Sequence, residues 1–424
     1  MKTMIWLSGV AFAAMATAAF AQDATQVRIM WYSDGNEGEV IADLVDRFEQ
    51  ANPDIDIVLD NVAYQVIQEQ LPIQLASGAG PDIARVTNLK AQAQHWLDLR
   101  PYVADPAYWD ANFGDRFDWM REDGSDAIPG YMTQLTLTGG FANATLFEQA
   151  GVELPAHGAT WDEWVEASRK VMEDQGLPAA FAIDRSGHRV AGPAISYGAK
   201  FIGEDGNPAP IDDGAMDFFT RLTDWTAQGL MLPEVWVSAA GTTYRAAADD
   251  FINAQIPFYY SGSWQVSNLS SKIGDAFDWV VVGSPCGPAG CSGMAGGAAM
   301  VAIKYTKHPE AVARVMDYLA SEDIVREFSE RTLFLPAHSG IVAKGGLNFQ
   351  SDDPMVPPAM NAYVAASAET LPEADRMPAW VWGNTVYGAI VTRVSQVMAG
   401  ELTIEQAREM MDRDIADQVE AAGQ

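Results

Sequence analysis

Hydrophobic positions along this chain change rhythm every ten to fifteen residues. Val27, Ile29 and Trp31 alternate with Arg28 and Met30, a period of two that predicts a first strand. Ser33-Asp34-Gly35-Asn36 breaks it. Val40, Ile41, Leu44, Val45 and Phe48 then recur at helical spacing until Asn52-Pro53. Ile55, Ile57 and Leu59 alternate again, a helix is predicted from Ile67 to Ser77, and Gly78 to Pro81 turns the chain into a strand over Asp82 to Val86. This β-α-β-α-β order predicts a parallel sheet covered by helices.

The later chain keeps the alternation. Thr160-Trp161-Asp162-Glu163 is a capping box opening a helix through Met172. Ala215 to Gln228 reads as a helix stopped by Gly229. Ile256 to Tyr260 and Met300 to Ile303 read as short strands. Pro309 starts a helix whose buried stripe is Val312, Val315, Met316 and Leu319, and Thr403 to Gln406 is a second capping box, opening the C-terminal helix. No solenoid repeat, low-complexity segment or Ser/Pro linker interrupts this order.

The first residues add a destination. Lys2 precedes an apolar stretch from Ile5 to Phe20, and Ala19-Phe20-Ala21 sets small residues around a cut before Gln22. This is the pattern of a secretory signal peptide spanning residues 1–21. A mature chain of roughly 400 residues exceeds what one core usually holds, so two domains are expected. The formal charge of −31 argues against nucleic acid, whose binders need Lys and Arg to release phosphate counterions. An acidic surface suits a soluble exported protein. The two cysteines, Cys286 and Cys291, enclose Gly-Pro-Ala-Gly. In an oxidising compartment they read as a local disulfide contributing roughly 2 kcal/mol.

Catalytic signatures are missing. There is no Gly-x-Ser-x-Gly elbow, His-Glu-x-x-His, phosphate-binding loop or dinucleotide fingerprint, and the five histidines have no metal-ligand spacing. No catalytic residue, metal or cofactor is therefore assigned. What remains is a set of aromatic and polar residues after strands, where parallel sheets bind ligands. Trp31 to Asp34, Thr87-Asn88 and Gly262-Ser263-Trp264 each follow a predicted strand. Such groups suit a sugar, whose hydroxyls need a polar rim and whose C–H face needs a ring.

At this point the chain resembles the family 1 extracellular solute-binding proteins, the maltose-binding-protein-like group that serves carbohydrate ABC importers. The resemblance is carried in order by Phe48-Glu49 to Ile57, Ala79-Gly80-Pro81-Asp82-Ile83, Asn143 to Gly151, Thr160 to Trp164, Gly262-Ser263-Trp264, Leu335-Pro336-Ala337 and Leu402 to Ala407. It implies an α/β, two-lobed periplasmic-binding-protein fold, each lobe a mostly parallel sheet flanked by helices and joined by a multi-strand hinge. Lobe 1 is expected over residues 22–134 and 296–349, and lobe 2 over 135–295 and 350–424.

By the same resemblance Trp264 stacks on a sugar face. Ser33, Asp34, Thr87, Asn88, Thr136, Ser263, Gly296 and Gly297 fall at ligand-facing places, with Trp382 and Arg331 as further candidates and Arg376 behind them. The implied role is the periplasmic receptor of an importer: a monomer that closes on a carbohydrate and docks on ABC permease subunits. Two alternatives stay open: a receptor for glycerol-3-phosphate or a polyamine, and a polysaccharide-active enzyme with two cleft carboxylates. Where many family members read Tyr-Asn-Lys-Asp, this chain reads Ala142-Asn143-Ala144-Thr145.

Overall fold

The computed structural model describes residues 24–237, 245–367 and 369–422. The expected signal peptide and its cut before Gln22 lie outside them. Among the described residues eight strands form one sheet: β1 (Thr25–Trp31), β2 (Ile55–Asn61), β3 (Ile83–Val86), β4 (Gly130–Asn143), β5 (Phe181–Ile183), β6 (Phe258–Gly262), β7 (Trp279–Gly283) and β8 (Ala295–Ala302). Their order is β2-β1-β3-β8-β4-β6-β5, with β7 also on β4. The parallel pairs are β1 with β2 and β3, and β5 with β6. The remaining pairs, all made by β4 or β8, are antiparallel.

β4 joins two bodies. Its first half pairs with β8, from Gly130 opposite Val301 to Leu137 opposite Ala295. Its second half runs between β6 and β7, from Thr138 opposite Gly262 to Asn143 opposite Trp279. One core gathers Trp31, Phe48, Trp109, Val301 and Phe328, and a second gathers Phe141, Trp161, Phe218, Tyr259 and Trp279. Trp264 departs from this division. It follows β6, a strand of the second core, yet packs with the first. A ring of that size, 5 % exposed and shared between the bodies, lies where the two meet.

Local chemistry explains most elements. The Thr160 hydroxyl accepts from the Glu163 amide while the Glu163 carboxylate accepts from the Thr160 amide, and the helix they open ends at Gly176 with φ 63°. Thr403 and Gln406 exchange the same pair of bonds at the last helix. The helix expected from Ile67 to Ser77 is instead two, Tyr64–Glu69 and Leu71–Ala76. Pro72 sits in the first turn of the second, where its missing N–H costs nothing, and it cannot continue the helix before it. A disulfide joins Cys286 to Cys291. Among the described residues no helix is long and apolar enough to cross a membrane, and no group of His, Cys, Asp and Glu could hold a metal ion.

Candidate functional site

A cavity of about 360 Å³ opens between the two bodies, within the range of small-ligand sites. Strand ends supply its walls. The turn after β1 contributes Tyr32 and Asp34, the turn after β3 contributes Thr87 and Asn88, and the antiparallel pair β4–β8 contributes Gln134, Thr136, Gly296 and Gly297. Across from these stand His188 and Arg189 after β5, Trp264 after β6, and Trp380, Asn384 and Tyr387 near the helix Gly383–Met398.

The first wall is held by Arg85, which is wholly buried. Its guanidinium donates to the Tyr32 carbonyl, to Glu37 at 3.0 Å and to Gln134 at 2.8 Å. It also lies 4.8 Å from the Trp31 ring centre and 4.1 Å from that of Tyr32. Glu37, itself fully buried, accepts the backbone N–H groups of Asp34 and Gly35 and so shapes the turn that presents Asp34. Burial first, and then the Glu37 charge, push the Asp34 carboxyl up to about 7, while Arg85 and Arg189 act in the opposite direction.

The second wall turns on Asp184, also fully buried. It accepts from the Ala247 amide at 2.9 Å, the Tyr259 hydroxyl at 2.9 Å and the Ser261 hydroxyl at 2.6 Å. Arg189 approaches it to 3.8 Å and lies 4.1 Å from the centre of the Trp264 ring. The Trp264 indole N–H is buried at this wall without a hydrogen-bond partner among the described residues. His188 donates from Nε2 to the Ala295 carbonyl and accepts at Nδ1 from Arg189. Burial, reinforced by Arg189, lowers its pKa to about 3, so the ring is neutral. Asn384 Nδ2 donates across the cavity to Asn88 Oδ1 at 2.6 Å, and outside the lining Ser267 Oγ donates to Asn36 Oδ1 of the other body at 3.1 Å.

Of the residues expected from sequence, Asp34, Thr87, Asn88, Thr136, Trp264, Gly296 and Gly297 line the cavity. The Thr87 hydroxyl is oriented by Tyr64 at 2.9 Å and Gln68 at 2.8 Å. A side chain at Gly297 would meet the Gln134 carbonyl oxygen at 2.3 Å, so that position keeps β4 and β8 close. Four others do not line the cavity. Ser33 turns to Asn61. Ser263 accepts from the Leu137 amide and fixes the middle of β4. Arg331 is held on the outer face by Asp43 at 2.6 Å and Glu327 at 2.8 Å. Trp382 caps the helix Gly383–Met398, while Trp380, two residues earlier, is the indole that reaches the wall. Arg376 is exposed near Glu373. Sequence reasoning passed over Arg189, His188, Asn384 and Tyr387. The first two follow a short strand, β5, and looking beyond its carboxyl end would have found them.

A model of the family described as bacterial extracellular solute-binding protein matches residues 32–325. A protein of Brucella abortus described as a binding protein is 23 % identical over 350 residues, covering 78 % of this chain and 80 % of its own. A substrate-binding protein of an ABC system from Listeria monocytogenes, solved with cycloalternan, superposes with a TM-score of 0.77 at 18 % identity, over 94 % of this chain and 99 % of the other. The maltose-bound protein MalE3 from T. maritima gives 0.76 at 19 %, over 93 % and 100 %. The acarbose-binding receptor GacH of Streptomyces glaucescens gives 0.75 at 17 %, over 92 % and 97 %. At these identities the likeness establishes the fold: two lobes with a cleft between them.

Proposed function

The chain belongs to the family of bacterial extracellular solute-binding proteins, and on that premise we propose that it captures a carbohydrate in the periplasm and delivers it to an ABC permease. It is exported by a signal peptide cut before Gln22 and works as a monomer. The observation that carries the carbohydrate reading is the composition of the cavity. Trp264, Trp380, Tyr64 and Tyr387 offer rings for a sugar's C–H face, and Thr87, Asn88, Thr136 and Asn384 offer uncharged hydrogen-bonding groups for its hydroxyls. The unpartnered indole N–H of Trp264 supplies a donor that a hydroxyl can satisfy. The structural neighbours crystallised with maltose, acarbose and cycloalternan support the same class of guest.

The mechanism needs no chemical step. Lobe 1 (residues 22–134 and 296–349) and lobe 2 (135–295 and 350–424) swing about the crossing strands. A sugar that touches both walls binds the closed form better and shifts the population towards it. The bonds from Asn384 to Asn88 and from Ser267 to Asn36 are of the kind that only the closed form makes.

A thermal-shift screen of the mature protein against mono- and oligosaccharides, polyols, glycerol-3-phosphate and polyamines tests this reading. A saccharide at a hundredfold its Kd adds roughly 2.7 kcal/mol of stability. Stabilisation by polyamines or glycerol-3-phosphate alone rejects it. Trp264→Ala, checked for folding by circular dichroism, removes the shift.

A further inference from the structure

We infer that the guest is uncharged, a neutral sugar rather than a sugar acid, sugar phosphate or amino sugar. This rests on the carbohydrate reading and sharpens it, because the charges of the cleft are already matched to one another.

Among the described residues, each cationic side chain at the cavity has partners of its own. Lys90 donates to the carbonyls of Asp118 at 3.1 Å and Arg121 at 2.7 Å and to the Asp123 carboxylate at 2.7 Å, all on its own lobe. Arg85 is bonded to Glu37 and stands 3.8 Å from Asp34. Arg189 stands 3.8 Å from Asp184. His188 donates to a carbonyl and accepts from Arg189, a pattern only the neutral ring can make. Glu37 and Asp184 have no solvent exposure. Arg85 lies behind the lining, so an anionic guest would reach only Arg189, and recruiting it would take the counter-charge from the buried Asp184, which would keep its three hydrogen bonds alone.

A cationic guest fares no better. It would find Asp34, already shared between the fields of two guanidiniums, and Glu69 at the exposed rim, with Arg85 and Arg189 repelling it from behind. Hydroxyl groups ask for none of this. They exchange single hydrogen bonds with groups such as Asn88, Thr87 and Thr136 and leave both ion pairs intact. The cleft's polarity is therefore spent on positioning, and its net selectivity falls on charge state.

The test presents the mature protein with an equimolar pool. The pool contains neutral hexoses, pentoses and disaccharides, their uronic acids, 6-phosphates and 2-amino derivatives, together with glycerol-3-phosphate and spermidine. Retained compounds are identified by mass spectrometry after desalting, and each is titrated by calorimetry beside its charged analogues. The neutral sugar is expected to bind at least tenfold more tightly than its own uronate or amine. A uronate, phosphate or amino sugar that binds equally well or better overturns the inference while the carbohydrate reading stands. Retention of glycerol-3-phosphate or spermidine alone, or of nothing, ends both. Asp184→Asn keeps the Oδ1 acceptor for Ala247 and Tyr259, sets an amide donor against the Ser261 hydroxyl, which can turn to accept it, and removes the charge opposite Arg189. It should move the uronate-to-neutral affinity ratio about tenfold towards the uronate, and an unchanged ratio counts against the matched-charge account.

Discussion

Arg85 and Arg189 hold comparable posts in the two lobes and illustrate two uses of one side chain. Arg85 stands near the end of a strand and Arg189 in the first turn of the helix that follows one, and each lies over an indole, Trp31 at 4.8 Å and Trp264 at 4.1 Å. Each faces a carboxylate without solvent exposure, Glu37 at 3.0 Å and Asp184 at 3.8 Å. The difference lies in the neighbours. Glu37 depends on Arg85 and the turn it shapes, and Arg85 is sealed behind the wall. Asp184 has three other donors, and Arg189 is part of the cavity lining. The first arginine builds a wall, and the second stands where a guest would touch it.

Removing each guanidinium should separate these roles most sharply. Arg85→Met leaves Glu37 buried and unpaired, and breaking one side of a buried pair costs about 3–5 kcal/mol. For a lobe of this size that lowers the melting temperature by about 10 °C. Arg189→Met leaves Asp184 with its three hydrogen bonds, so the loss is about 1–2 kcal/mol, while sugar affinity changes more than stability does. Calorimetric melting with and without sugar measures both. Equal destabilisation by the two substitutions would erase the contrast.

The sequence disclosed the two arginines poorly, and the reason is physical. Periodicity predicted β1, β2, β3 and β6 because apolar faces repeat at a fixed spacing, and the capping boxes at Thr160 and Thr403 fixed two helix starts, but β4, β5, β7 and the helix that carries Arg189 were not predicted. Asp34, Thr87, Asn88 and Trp264 were legible because they follow β1, β3 and β6, and the carboxyl ends of such strands are where cavities of parallel sheets open. Arg85 is invisible by that logic. It occupies an ordinary position of a strand, and only the packing of Tyr32, Glu37 and Gln134 around it shows its purpose. Trp382 and Trp380 show the converse: an aromatic was expected in this segment, but which one reaches the cavity depends on the helix start at Gly383. Arg331 was named as a further candidate beside the resemblance, and its partners Asp43 and Glu327 come from sequence-distant and local helix positions that no spacing rule joins.

Asp34 sharpens the comparison by titration. Its carboxyl, one-fifth exposed, is raised from its ordinary value to about 7, chiefly by burial and by Glu37. Between about pH 4 and about pH 7 the folded chain therefore keeps a proton that the unfolded chain has released. Stability falls as pH rises through that window. Asp34→Asn should flatten this slope and stabilise the empty protein at pH 7.5 by about 1–2 kcal/mol. Asp184, also raised by burial, keeps its own share of the slope. The same substitution turns one of the two carboxyl oxygens at the cavity into an amide donor, so on the proposed reading affinity should drop as stability rises. Urea unfolding at pH 5 and pH 7.5, with and without sugar, reads both directions. A variant less stable than the parent at pH 7.5 would place Asp34 with Glu37 as part of the wall.

The smallest effect belongs to the contact that spans both walls. Asn384 donates to Asn88 at 2.6 Å where both are reached by solvent, so the bond contributes no more than about 1 kcal/mol. Asn384→Ala should leave the melting temperature of the empty protein almost unchanged, because neither lobe's core includes it. Its energy belongs to the closed arrangement alone, and losing it shifts the open–closed balance by up to about fivefold. Small-angle scattering of the sugar-free protein should show a larger radius of gyration in the variant. The difference should vanish at saturating sugar, when contacts through the guest outweigh one surface hydrogen bond. A variant whose scattering matches the parent in both states would mean that the two walls are held together by the buried groups alone, with Trp264, shared between the lobes, as the dominant contact.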